Sequence, residues 1–124
     1  MESIRRLATA FGERALIGAG TVTNEEEVAA VARAGGRLMV TPHAAPPLVL
    51  AARARGMIAC PGFVTPAEAF SLLAAGADAL KLFPAEGASP AVLRALLAVL
   101  PRGTAILPVG GMTAETLRGA LGLG

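Results

Sequence analysis

The sequence predicts an α/β fold built on a parallel sheet, and three observations predict it. Five short β-rich runs recur, each followed by an Ala-rich helical stretch. Their first residues, 15, 37, 57, 79 and 104, lie 22, 20, 22 and 25 positions apart, the length of one strand, one turn and one helix. The runs are nearly continuous in apolar residues, as strands are when helices cover their sheet. Hydrophobic residues make up 54% of the 124, which rules out a disordered chain and suffices for one domain with a core.

In chain order, Met1–Arg14 reads as a helix leading into the first strand, Ala15–Val22. Thr23 then precedes Glu25, Glu26 and Glu27, three carboxylates in a first helical turn, where the helix dipole favours them. The second and third strands are Arg37–Thr41 and Met57–Pro61. Thr65 before Pro66 opens the next helix, since proline suits the first helical position. Ala79–Phe83 is the fourth strand, and Ser89 before Pro90 repeats the helix-start pattern. Thr104–Val109 is the fifth strand, followed by Thr113 and Glu115 at a last helix and by a GALGLG tail. Gly35, Gly56 and Gly76 stand where helices stop. This alternation allows a doubly wound sheet or a (βα) barrel. A complete eight-unit barrel needs roughly 200 residues or more. Periodicity therefore leaves open a partial barrel or a small complete five-stranded fold. No linker divides residues 1–124, which read as a single domain or part of one.

The net charge is only +2 and the arginines are scattered, so no basic stripe for nucleic acid appears; aromatics at 3% offer no stacking surface. No apolar run approaches the roughly 18 residues of a membrane span, and the charged first twenty residues hold no signal-peptide core. The expectation is a soluble, cytoplasmic protein, with neither a nucleic acid nor a membrane as partner. One histidine, His43, and one cysteine, Cys60, do not make a zinc site, so no metal is expected. Cys60 reads as a small core residue and His43 as a loop residue.

Lys81 is the one lysine among eleven basic residues, and it sits in an apolar strand between Leu80 and Leu82. An amine attacks a carbonyl to form an imine, which a guanidinium does not do. The iminium is then an electron sink for breaking or making the neighbouring C–C bond. The bland reading is a strand-end lysine that snorkels to water.

The motifs GAGTV (Gly18–Val22), VTPH (Val40–His43), CPG (Cys60–Gly62), LKLFPAE (Leu80–Glu86) and PVGGMTAETL (Pro108–Leu117) stand in that order. In them the chain resembles the 2-keto-3-deoxy-6-phosphogluconate and 6-phosphogalactonate aldolases along nearly its whole length. The resemblance implies a (βα)8 barrel assembled as a homotrimer, working without metal or other cofactor. It implies cleavage of a phosphorylated keto-deoxy sugar acid to pyruvate and glyceraldehyde 3-phosphate. It assigns Lys81 as the Schiff-base lysine and Phe83 as its neighbour on the same face. Gly20 and Thr21 match the turn that receives the pyruvyl carboxylate, and Pro42 a residue lining the pocket beneath the imine. Gly110 and Gly111 match half of a phosphate cradle, where glycine allows close backbone approach. Val109 stands where phosphogluconate enzymes usually carry threonine, which leans the substrate toward the galactonate.

The match also departs from the family. The family's first two strands carry a glutamate base and a carboxylate-binding arginine, and neither has a counterpart in Met1–Arg14. The glycine-rich phosphate loop of its last strand is likewise unmatched at Gly122–Gly124. The expectation is a partial (βα)8 barrel of about five βα units lacking the first two strands and the C-terminal end, impaired in activity. Glu68 and Glu86 are the nearest substitutes for the base, though Glu68 reads as a first-turn acid. A second expectation is a non-catalytic remnant that needs a partner chain to fold.

Overall fold

A computed structural model of the chain describes residues 1–120; the Gly122–Gly124 end lies outside them. Helix α1 (Glu2–Phe11) passes through a 3-10 turn at Gly12–Arg14 into β1 (Gly18–Ala19). Four more strand–helix alternations build the rest: α2 (Glu25–Arg33), β2 (Leu38–Val40), α3 (Pro46–Arg53), β3 (Ile58–Cys60) and β4 (Gly62–Phe63). Then follow α4 (Pro66–Ala74), β5 (Leu80–Leu82), a 3-10 turn at Ala85–Gly87, α5 (Pro90–Val99), β6 (Ile106–Pro108) and α6 (Ala114–Ala120). No described helix is long and apolar enough to cross a membrane.

Every strand pair is parallel, in the orders β1-β2-β3 and β4-β5-β6. Each predicted run contains a strand, shortened to the residues inside the ladder. The third run corrects the expectation: the sequence ends a strand at Pro61, whereas the extended chain continues through Gly62 and Phe63 as β4. The ladder to β2 stops at Cys60. The Pro61 carbonyl is still an acceptor and takes the Lys81 N–H at 2.8 Å on the other side.

Strand alternation sets what each face meets. Met39, Ala59, Leu80 and Leu82 point at the helices and are buried against Val28, Val31, Val49, Leu72 and Leu96. The opposite face carries the rows Gly18–Leu38–Ile58, Val40–Cys60 and Gly62–Lys81–Leu107, fixed by the strand register. Ile58 is 39% exposed and Leu107 47% exposed on that face.

The helix starts follow their local chemistry. At α2 the three glutamates occupy the first turn as expected, and Asn24 is the cap, its side chain accepting the Glu27 N–H. Thr23 is held from the other direction, giving its N–H to the Glu27 carboxylate at 2.7 Å. At α4, Thr65 and Glu68 form a complete capping box with Pro66 just inside it. Ser89 caps α5 by accepting the Val92 N–H on its side chain, with Pro90 just inside, and without a reciprocal bond. Gly35, Gly56 and Gly76 all have positive φ after the helices they end.

Candidate active site

In parallel sheets, ligands sit beyond the carboxyl ends of the strands. The residues singled out in the sequence lie there. Gly20 and Thr21 follow β1, Pro42 follows β2, Lys81 lies in β5 with Phe83 just after it, and Val109, Gly110 and Gly111 follow β6.

Lys81 leaves the strand face opposite to buried Leu80 and Leu82 and is itself half-buried. Its Nζ lies 4.4 Å from the centroid of the Phe83 ring, a cation–π contact. Among the described residues no carboxylate forms an ion pair with it. Cys60 is buried nearby. Burial pushes its thiol up, with the Lys81 charge opposing in part, so the thiol stays protonated and inert as its reading as a core residue requires.

The β6 end closes against the same ring. Ala85 donates its N–H to Val109 O at 2.9 Å, and Val109 donates to Leu82 O at 3.0 Å, which fixes the loop after β6 to the loop after β5. Gly110 and Gly111 take φ of 104° and 57°. A side chain on Gly110 would lie 3.3 Å from the Phe83 ring, and one on Gly111 would collide with Glu86. Two glycines in left-handed conformation leave the backbone bare beside Phe83. Next to them a groove of about 240 Å3 runs between Leu82, Glu86, Leu93, Gly111, Met112 and Thr116.

Gly20 and Thr21 belong to the far side. Strand β2 and the β3–β4 run stand between them and β5. Thr21 has φ of 56°, an uncommon conformation for a β-branched residue. The neighbouring Val22 N–H reaches Val40 O at 3.1 Å and ties this turn to β2.

Two residues that the sequence reading passed over hold the middle of the site. Thr41 is wholly buried; its hydroxyl donates to His43 O at 2.6 Å and accepts the Gly62 N–H at 3.0 Å. Gly62 is the register partner of Lys81, and a side chain there would come within 2.7–2.8 Å of the Pro42–His43 backbone. The available signal was a polar residue closing an apolar strand just before a proline. His43 itself is exposed. Of the substitute bases, Glu68 is engaged in its capping box and Glu86 packs on Gly111.

The family model for KDPG and KHG aldolase matches residues 1–124. The 2-dehydro-3-deoxy-6-phosphogalactonate aldolase of Escherichia coli (strain K12) is 47% identical over 116 residues, covering 94% of this chain and 57% of its own length. A solved structure described as native KDPGal superposes with a TM-score of 0.93 at 46% identity, over 98% of this chain and 59% of that one. A KDPG aldolase from Legionella pneumophila, solved with pyruvate captured as a covalent carbinolamine, matches with a TM-score of 0.81 at 29% identity. It covers 91% of this chain and 54% of that one. The chain thus spans a little over half the length of the relatives it matches.

Proposed function

The chain belongs to the KDPG and KHG aldolase family, an enzyme family of lyases, and on that premise we propose that it is a class I aldolase whose Schiff-base residue is Lys81. The substrate is a 2-keto-3-deoxy-6-phospho sugar acid, the galactonate rather than the gluconate. Val109 and the 47% identity to a phosphogalactonate aldolase support that choice. A homotrimer is the expected assembly, by resemblance.

The single observation behind the reading is the placement of one amine at a strand end, beside an aromatic ring and a bare glycine turn. Lys81 Nζ attacks the keto carbon, and loss of water gives an iminium. That iminium takes up the electron pair as the C3–C4 bond breaks, releasing glyceraldehyde 3-phosphate and leaving an enamine. Protonation at C3 and hydrolysis release pyruvate and restore the amine. The Thr21 turn is assigned to the carboxylate and the Gly110–Gly111 turn to the phosphate, where backbone N–H groups suit an anion.

Cleavage also needs a base for the C4 hydroxyl. Glu68 is held in its capping box, and Glu86 lies against the Gly111 turn assigned to the phosphate, so the 124-residue chain alone is proposed to form the imine yet turn over slowly, by about 10²–10⁴. A second reading, a non-catalytic chain that needs a partner to cover its sheet, is favoured by exposed Ile58, Leu107 and Val109. Incubation with pyruvate and sodium borohydride, followed by peptide mass spectrometry, separates the two. A reduced adduct on Lys81 supports the aldolase reading. An adduct confined to the N-terminal amine, or none, refutes it and puts the second reading first.

A further inference from the structure

Between Lys81 and Pro42 runs a connection made by one hydroxyl. The backbone ladder that joins β2 to the third run ends at the Val40–Cys60 pair, two residues before Gly62. Gly62 is where β4 begins, and it is in register with Lys81. Its N–H finds no backbone acceptor on β2 and is taken by Thr41 Oγ1 instead, at 3.0 Å. The same hydroxyl spends its proton on His43 O at 2.6 Å, across the peptide that carries Pro42. Close backbone contact confirms the fit, since no side chain could be added at Gly62 without meeting Pro42 and His43. With both hydrogen bonds made and the residue wholly buried, the threonine rotamer is fixed.

We propose that Thr41 is a positioning residue for the imine site: its hydroxyl sets the distance between the Pro42 turn and the strand pair that presents the Lys81 amine. The role rests on Lys81 being the Schiff-base lysine. It is distinct from simple packing, because valine fills the same volume without either hydrogen bond. In Thr41→Val the Gly62 N–H loses its acceptor and the Pro42 turn loses its tether. Misplacement of reacting groups by about 1 Å costs on the order of 10²-fold in rate.

The test compares wild type, T41S and T41V in borohydride trapping across a range of pyruvate concentrations, with amide exchange at Gly62 measured in parallel. Expected is a fall of about tenfold or more in the maximal trapping rate of T41V. The pyruvate concentration for half-maximal trapping changes much less. T41S, which restores the hydroxyl and not the methyl, returns most of the rate, and fast exchange at Gly62 appears in T41V alone. Equal rates in wild type and T41V would overturn the proposal, as would equal losses in T41S and T41V. A T41V chain that fails to fold would also overturn it, by making the hydroxyl a support of the whole fold rather than of the site. No Lys81 adduct in wild type, with Gly62 protected, sinks the Schiff-base reading first and this role with it.

Discussion

Lys81 and Phe83 leave the same face of β5, and the amine of one stands 4.4 Å from the ring centroid of the other. The ring restrains where a four-carbon side chain can swing, at about 0.5–1 kcal/mol for a half-exposed pair. Phe83→Leu keeps apolar bulk and removes that restraint. Trapping of pyruvate on Lys81 is expected to slow by a few-fold, on the order of 2–5, with thermal melting little changed. An undiminished rate in the leucine variant would show that the ring does not direct the amine.

Lys81→Arg preserves charge and approximate length, and a guanidinium does not form the imine. All borohydride-trapped pyruvate should then move to the N-terminal amine. Stability should stay within about 0.5 kcal/mol by urea unfolding, because Lys81 is half-buried and makes no ion pair among the described residues.

Two glycines of one motif should behave oppositely. A methyl group on Gly18 would fall on the Leu38 carbonyl, which the ladder holds in place, so Gly18→Ala is expected to cost about 1–3 kcal/mol. Nothing lies within 4 Å of a methyl group at Gly20. Gly20→Ala should therefore leave stability within about 0.5 kcal/mol, and any loss of trapping in it reports on the carboxylate turn. Denaturant melts beside trapping rates check both.

The α4 cap gives a pH signature. The Thr65 backbone N–H, then the Val64 N–H and the Thr65 hydroxyl, hold the Glu68 carboxyl below its ordinary range. A group depressed in the folded state stabilises fully above its unfolded value, and that contribution is lost as pH falls through the folded value. The stability gap between wild type and Glu68→Gln should thus be widest near neutrality and close in acid, as followed by thermal melting. Thr65→Ala, which removes the cap oxygen, should cost about 1 kcal/mol at neutral pH. A gap independent of pH would mean that the carboxylate's charge contributes nothing to the cap.

Much of this arrangement was readable from local pattern. Strand centres, the Thr65 and Ser89 caps and the left-handed glycines after helices each depend on a few neighbouring residues. The start of α3 was not readable: Ala45 precedes Pro46 with no side-chain cap, so nothing polar announces the helix. Nor was Asn24, since Thr23 and Asn24 are both good caps and only the observed geometry assigns the Glu27 N–H to the second. Thr41 escaped for a different reason. Its two partners are one near neighbour and one residue 21 positions away, a pairing that exists only once β2 and β4 are side by side.

The order of the strand ladders has a consequence for cooperativity. The strands pair as two blocks, β1 to β3 and β4 to β6, bridged by the Asp78 N–H on Ala59 O at 2.9 Å. Opening fluctuations in such a sheet follow cooperative units rather than single residues. Lys81, Phe83 and the glycine pair ride on one block, while Thr21 and Pro42 ride on the other. Any ligand that grips the amine and the Thr21 turn together is therefore a clamp across the seam. Its binding should quench exchange at amides in both blocks at once, including those it never touches.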